Sequence, residues 1–505
     1  MNISFDSPLV ALHYDPHAGG YSANPPFDPQ VRYPEYDGPL SAHGSSNHAY
    51  DAVRETLFLL GLDAEHYGLS NWNPLGELIS PGELVVIKPN LVMHRHLRGK
   101  DPNSVITHGS VVRAVVDYVC LALQGRGRIV IGDAPLQMAD MGRISEISGL
   151  GEVAESATRR FGVAVNVTDF RRVRAVLKNG LLQAIATNPG DPNGYRVVDF
   201  GKSSLLAPVS QNHESYRVTC YANEALSRHH NEFKNEYLIA GSALSADCVV
   251  SISKLKTHRK AGITVALKNL VGINGHKDWL PHHRCGGKQD GGDEYMHASF
   301  GKRASSELAL RALRSADHFS AALHRLSIAA GAAAKRISRD PFTEGSWYGN
   351  DTLWRTVLDL NRALIYADRN GNLQKSPQRK CLHLVDAIIA GQGEGPLEPD
   401  PKLCGVMLGG FSPVAIDTVA AGLMGFDYRN IPTISQAYLV QEMPLTTFWP
   451  QHIGIQSNRR EFQDFNPVHP EPYFIFRPPA GWRGHIKRNE MHAKTSEAEL
   501  CDARY

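Results

Sequence analysis

The sequence predicts an α/β protein built on a mostly parallel or mixed sheet with helices on both faces. Short apolar runs rich in β-branched residues alternate with helical patterns, as in strand–helix–strand units. The run Asp247–Ser253 (DCVVSIS) is apolar on both faces, which is typical of a strand covered by helices. The whole chain of 505 residues is 42% hydrophobic and 21% charged, which is an ordinary globular composition.

The predicted elements follow one another from the N-terminus, with long polar loops between some of them. Strands are predicted at Leu9–His13, Glu83–Lys88, Arg128–Gly132, Val163–Val167, Arg196–Val198, Glu236–Ile239, Asp247–Ser253, His383–Ala390 and Gly405–Leu408. Helices are predicted at Tyr50–Leu62, Gly109–Leu123, within the Ala-rich region Ser305–Arg336, and at Thr352–Tyr366 and Ser412–Met424. The Gly- and Pro-rich stretch Pro16–Asn47 is predicted to be a loop.

Charge and composition exclude several classes of protein. The 53 basic and 51 acidic residues give a net charge of +2 without a long block of like charge, which disfavours nucleic acid as a partner. No secretory signal and no apolar run near the roughly 20 residues of a membrane span are found, so we expect a cytoplasmic protein. Seven cysteines without a Cys-x-x-Cys pair argue against an iron–sulphur cluster.

Basic side chains follow the buried strand at Asp247–Ser253. Lys254, Lys256 and His258 come directly after it, and Lys256 and His258 would share one side if the strand continued. Loops at the carboxyl ends of strands in open α/β sheets converge on a ligand crevice. The run ITVALKNL (263–270) then predicts a helix whose N-terminal amides could hold an anion, with Lys268 and Asn269 inside it. The alternative is a solvated charged loop.

Three other strand ends also carry polar groups. Lys88 and Asn90 follow one strand, and Asp133 follows the next, where its alternative role is a helix or turn cap. Asp386 lies in or beside a later strand, and Glu394 lies in a Gly-rich turn. Pro396 and Pro399 exclude the helix that a dinucleotide fingerprint would need there.

A histidine-rich loop lies at residues 275–297, in a setting of glycines and carboxylates. His276, His282, His283 and His297 fall within 22 residues. Imidazole and carboxylate groups bind divalent metals, but the spacing matches no standard zinc motif. Metal binding, anion or substrate binding, and a polar surface loop remain open as alternatives.

Several blocks together resemble the family known as domain of unknown function 362. They are VVIKPNLV (85–92), THGSVVRAV (107–115), IVIGDAP (129–135), SISKLKTH with GITVALKNLVGI (251–273), VDAIIAGQGEGP (385–396) and GFSPVAIDTVAAGLMGF (410–426). The family name implies no assigned activity. Some members carry iron–sulphur clusters, but this chain lacks the cysteines for one, and the block at 277–295 resembles a subgroup associated with bacterial polysaccharide gene clusters.

The resemblance and the composition divide the chain into an α/β body at 1–442 and a C-terminal extension at 443–505. The core blocks span 85–430, with a middle insertion at about 170–235 and a helical insertion at about 300–375. The Pro-, Arg- and aromatic-rich extension predicts a wrap over the body.

The leading hypothesis is an enzyme acting on an anionic, phosphorylated or carboxylated, small molecule, with a role in polysaccharide biosynthesis as one option. The candidate catalytic residues are His258, Lys256 and Asp133. Candidate substrate-binding residues are Lys88, Asn90, Lys254, Lys268, Asn269, Lys277 and Glu394. His276, His282, His283, Asp386 and Asp417 are candidate ligands of a divalent metal, which is the one cofactor left open.

Two other classes stay open. A non-catalytic binding or assembly factor would use an exposed aromatic patch, for which Phe474, Phe476 and Trp482 of the tail are candidates. A metalloprotein with histidine ligands is the other alternative.

Overall fold

The computed structural model describes residues 6–41, 47–178, 181–219, 221, 226–314, 320–467 and 473–487. Parts of the predicted N-terminal loop, Ala-rich helical region and C-terminal extension fall in the gaps and lie outside the described residues.

In the described residues, the strands form one large mixed sheet and three small two-stranded ones. They are β1 (Leu9–Tyr14), β2 (Leu84–Pro89), β3 (Arg128–Asp133), β4 (Ala164–Asp169), β5 (Val173–Lys178), β6 (Leu181–Thr187), β7 (Tyr195–Asp199), β8 (Tyr216–Arg217), β9 (Glu236–Ala240), β10 (Cys248–His258), β11 (Gly262–Thr264), β12 (His283–Arg284), β13 (Lys380–Glu394), β14 (Glu398–Gly410) and β15 (Gly454–Ser457). Within the described residues the large sheet has the order β15-β1-β14-β13-β10-β2-β3-β4, and β11 pairs with the end of β10. The strands β13, β10, β2, β3 and β4 run parallel, whereas β14 is antiparallel to β1 and β13.

Helices cover both faces of this sheet, as the sequence predicts. They are α1 (His48–Leu59), α2 (Gly109–Leu123), α3 (Met141–Ser148), α4 (Leu150–Phe161), α5 (Leu226–His229), α6 (Gly241–Ser245), α7 (Ala266–Asn269), α8 (Phe300–Arg314), α9 (Ser320–Ser338), α10 (Leu353–Tyr366), α11 (Pro413–Leu423), α12 (Pro432–Ser435) and α13 (Arg460–Gln463). Alternate residues of β2 point to opposite faces of the sheet and pack against different helices. Val85 and Ile87 share a core cluster with α1 and α2, and Val86 belongs to another with Leu360 and Leu364 of α10.

The helix predicted at 263–270 is wrong for its first three residues and begins only at Ala266. Gly262–Thr264 form β11, which turns back and pairs with Lys256–His258 of β10, and α7 has four residues. The backbone amides of Ala266 and Leu267 donate to Asp417 Oδ1, at 2.8 and 3.4 Å. The acceptor at this helix start is therefore a side-chain oxygen of Asp417, whose pKa burial raises well above its ordinary value.

The segment at 473–487 wraps over the body, as the sequence predicts. Phe476 and Trp482 are each 1% exposed and pack in the core cluster that contains α11. The prediction that these two rings form an exposed patch is therefore wrong, and Phe474, the third candidate, is partly buried and packs against the same cluster. In the described part of the chain, no helix combines the length and the apolar character that a bilayer crossing requires.

Candidate functional site

The carboxyl ends of β2, β3 and β10 surround a cavity of about 320 Å³. The turn between β13 and β14 closes one side of it through Pro396 and Leu397. The predicted site residues that line it are Asn90, Asp133, Lys256, His258, Lys268, Asn269, Lys277 and His282. The loops of three parallel strands thus bring together groups that are far apart in the sequence, as open α/β sheets commonly do.

Lys256 enters the cavity from β10, which continues to His258. Its side chain is 1% exposed, and Nζ donates to Asn90 Oδ1 at 2.8 Å and to the carbonyl of Val105. Burial and the neighbouring Lys254 lower the pKa of Lys256 well below its ordinary value. Thr264 pairs with Lys256 across the β10–β11 turn, and its buried Oγ1 has no hydrogen-bond partner among the described residues. The cavity therefore presents a hydroxyl and the amino group of a lysine side by side.

Lys88, a predicted substrate-binding residue, does not line the cavity and instead forms a buried ion pair with Asp133, which does. Nζ of Lys88 lies 2.7 Å from Asp133 Oδ1 and donates to Asn269 Oδ1 at 3.0 Å. Asp133 Oδ2 accepts from the backbone amide of Leu91 at 2.7 Å. Asp133 thus holds the turn after β2 and faces the cavity, so both roles considered for it are compatible with the geometry.

Lys268 and Lys277 add two further cations to the cavity wall. Neither forms an ion pair with any described residue, and Lys277 Nζ donates only to the carbonyl of Val271, at 3.3 Å. Burial and the nearby Lys277 lower the pKa of Lys268 to about 7. Burial lowers the pKa of Lys277 to about 8, against the opposing effect of Asp133. The protonation state of both lysines therefore changes near neutral pH.

The hydrogen bonds of His258 determine its tautomer. Its Nδ1 accepts from the backbone amides of Lys260 and Ala261, at 3.1 and 3.2 Å. The neutral ring therefore carries its proton on Nε2. Burial and the charges of Lys268 and Lys256 hold the pKa of His258 well below its ordinary value. His258 is thus a neutral hydrogen-bond donor.

His282 has the opposite tautomer. Its Nδ1 lies 2.6 Å from the carbonyl oxygen of Leu280, which only accepts, so Nδ1 carries the proton. Burial and the charges of Lys260 and Lys268 hold the pKa of His282 well below its ordinary value. The Nε2 lone pair of the neutral ring is therefore available to accept a hydrogen bond.

Lys254 does not line the cavity. Its Nζ lies 3.0 Å from Asp386 Oδ2 and donates to Tyr21 Oη at 2.6 Å, and both charged side chains are fully buried. The ring of His108 stacks on Tyr21 at 4.2 Å. This buried group of side chains joins the N-terminal loop to the sheet. The contacts of Lys254 and Asp386 therefore favour a structural role over ligand binding.

The remaining candidates lie in separate hydrogen-bonded places. Glu394 Oε1 accepts from the amide of Ala480 at 2.7 Å, and Asp417 caps α7 as described. His276 Nδ1 accepts from the amide of Asp278 at 3.3 Å, and His283 pairs with Arg217 in the small β8–β12 sheet. Within the described ranges, no group of three or more His, Cys, Asp or Glu side chains is placed to hold a metal ion.

Sequence reasoning missed several residues of the cavity. Thr219, Tyr221 and Glu344 come from the two insertions, and Arg259 and Lys260 come from the turn that joins β10 to β11. The turn residues adjoin His258 in the sequence, so the basic run KLKTHRK could have indicated them. The insertion residues carry no local signal of this kind.

The comparisons with known proteins identify the family. Residues 85–187 and 205–422, more than half of the chain, match the family model described as a domain of unknown function, DUF362. The chain belongs to the DUF362 family. All of the cavity residues named above lie within the two segments that match DUF362.

Other comparisons add little. No curated protein matches the chain at a significant level. Among solved structures, the chain is similar to a Thermotoga maritima protein whose crystal structure was determined as a structural genomics target, at 11% identity and a TM-score of 0.30. The match covers 76% of this chain and 60% of that one, and at this TM-score it supports no inference about function.

Proposed function

We propose that this DUF362 protein is an acid–base enzyme whose substrate is an anionic small molecule with a phosphate or carboxylate group. The observation that supports this most directly is that Lys256, Lys268 and Lys277 line one cavity and form no ion pair among the described residues. A buried ammonium without a counter-charge is costly. An anionic ligand would supply that counter-charge, and the unpartnered hydroxyl of Thr264 would donate to one of its oxygens.

The two histidines divide the proton chemistry in this proposal. His282 would accept a proton from the substrate at Nε2, and His258 would donate a hydrogen bond from Nε2–H to an oxygen on which negative charge develops. A bound anion offsets the field of the lysines, so it raises the pKa of His282 toward its ordinary value. The base would therefore become effective when the substrate is present.

Anion binding is tested first by calorimetry and thermal shift with inorganic phosphate and sulfate. A ligand at about 100 times its dissociation constant stabilises a protein by roughly 2.7 kcal/mol, which is readily measured. We expect Lys268→Met to abolish the shift and Lys375→Met, at an exposed lysine outside the cavity, to leave it unchanged. Equal shifts in the two variants would place the anion elsewhere and refute the proposed site.

Catalysis is tested separately, by incubating the protein with a bacterial metabolite extract and following its components by mass spectrometry. We expect an anionic component to be consumed by the wild type and spared by His282→Gln and His258→Gln. If these variants consume it at the wild-type rate, the roles given to the two histidines are wrong. Anion binding without any turnover would instead favour a non-catalytic binding protein.

The setting of the activity is part of the same proposal. The likeness of the 277–295 block to a subgroup associated with polysaccharide gene clusters supports a role in polysaccharide biosynthesis, and a cytoplasmic location stays a prediction from the sequence. A bound divalent metal stays a prediction. Measuring the metal content of protein purified without a histidine tag tests it.

A further inference from the structure

The cavity has an apolar wall as well as a cationic one. Val92, Leu136, Met138 and Leu397 line it and are only partly buried. The amide of Leu136 donates to the carbonyl of Val92 at 3.1 Å, so the loops after β2 and β3 adjoin. The carbonyl of Leu397 accepts from the amide of Leu97 at 3.1 Å, which brings the β13–β14 turn against the loop after β2. The three segments therefore form one wall.

This wall is anchored and its side chains are incompletely covered. Val92, Met138 and Leu397 all pack against the same hydrophobic core cluster, which fixes them in place. Each nonetheless keeps exposed surface beside the cavity. Apolar surface of this kind gains from contact with an apolar ligand group that removes it from water.

The size of the cavity exceeds what a simple anion needs. Its volume of about 320 Å³ equals that of roughly ten molecules of liquid water. Inorganic phosphate bound to Lys256, Lys268 and Thr264 would leave much of this space and the apolar wall in contact with water. A ligand that fills the cavity requires a second, uncharged part.

We infer that the ligand is an amphiphilic anion, with a phosphate or carboxylate head at the lysines and a compact aliphatic or aromatic body against the apolar wall. This inference rests on the proposed function, because it concerns the same cavity. It narrows the substrate class by disfavouring purely polar anions.

The test uses matched pairs of probes that differ only in the apolar part. Methyl phosphate is compared with phenyl phosphate, and acetate with phenylacetate, by calorimetry on the full chain. We expect the phenyl member of at least one pair to bind about tenfold or more tightly than its partner, a difference of the size that hydrophobic pockets give for small apolar groups. The pair that binds identifies the head group as phosphate or carboxylate.

A near-isosteric variant tests whether the apolar wall causes this preference. In the double variant Val92→Thr/Met138→Gln, both side chains keep their approximate size and become polar. We expect the phenyl preference to fall to about threefold or less while the affinity for methyl phosphate or acetate stays unchanged. Lys268→Met should weaken binding of both members of the pair.

The outcomes separate this inference from the proposed function. Equal affinities within each pair, or a phenyl preference that persists in the double variant, would overturn the amphiphilic ligand and leave the anion site standing. Failure of every probe, including inorganic phosphate, to bind the wild type would refute both.

Discussion

Asp133 and Lys88 meet beneath Gly272, with 2.7 Å between Oδ1 and Nζ. A β-carbon at Gly272 would lie 1.8 Å from that carboxylate oxygen and 2.6 Å from that ammonium nitrogen. The missing side chain of Gly272 therefore leaves the space in which the ion pair forms. The segment 268–277, which carries Lys268 and Lys277, can therefore pack directly against the ends of β2 and β3.

Gly272→Ala should therefore damage both the fold and the site. Overpacking at a buried position costs typically about 1–3 kcal/mol, and here it also pushes apart a buried ion pair. Urea unfolding measures the loss, and phosphate calorimetry measures the accompanying loss of affinity. Gly454→Ala is the control, because a β-carbon there meets nothing within 4 Å. Equal stability of the two variants would contradict the prediction.

Anion affinity should fall as the pH rises from 6 to 9. The pKa values of Lys268 and Lys277 are lowered to about 7 and about 8, so both lose their positive charge in this range. Sulfate is the suitable probe because its own charge is constant there. Affinity should drop by roughly a hundredfold if only the protonated form of Lys268 is required, and by roughly a thousandfold if both lysines must be protonated.

Lys268→Met provides the matched control for this pH dependence. The variant should bind sulfate weakly at pH 6 and show a flatter profile, because one of the two titrating cations is gone. Wild-type affinity that is the same at pH 6 and pH 9 would mean that these lysines do not hold the anion.

Lys254→Met should destabilise the fold. The substitution leaves the fully buried carboxylate of Asp386 without its cation, and breaking a buried pair in this way costs about 3–5 kcal/mol. Urea unfolding should show this loss, with part of it restored in the double variant Lys254→Met/Asp386→Asn. A stable Lys254→Met protein with impaired phosphate binding would instead assign Lys254 to the ligand site.

Local pattern was enough to predict much of the fold. Helix α2 has the predicted bounds Gly109–Leu123, because its apolar periodicity is continuous and Gln124 and Gly125 end it in left-handed backbone conformations. The alternation of Lys256 and His258 correctly predicts that both face one side, because β10 continues through them.

Long-range pairing could not be predicted in the same way. Lys254 belongs to the same alternating series as Lys256, yet the β10–β13 register shifts between the two, and Lys254 pairs with Asp386. Tyr21, which completes that group, lies 365 residues before Asp386 in the chain. The ring tautomers of His258 and His282 depend equally on backbone contacts that no sequence pattern specifies.

The opposite tautomers of these two histidines are directly measurable. At pH 7 both rings should be neutral, with the proton on Nε2 in His258 and on Nδ1 in His282. Nitrogen-15 NMR of histidine-labelled protein distinguishes the tautomers, and His258→Gln and His282→Gln assign the signals. A positively charged ring, or the same tautomer at both positions, would contradict the hydrogen-bond assignment.

Removing the C-terminal wrap should destabilise the body together with its site. Trp482 Nε1 donates to the carbonyl of Arg259 at 2.7 Å, next to His258, and its ring packs on Gly262. A chain that ends at residue 470 also loses the buried Phe476 and Ile486, so we expect a loss on the order of 5 kcal/mol or more. Urea unfolding measures this loss, and a chain that ends at residue 487 is the control because it keeps these contacts.

If the shorter chain unfolds at the same urea concentration as the control and binds phosphate equally well, the wrap does not support the site. The tail would then be free to bind a partner, as the assembly-factor hypothesis requires.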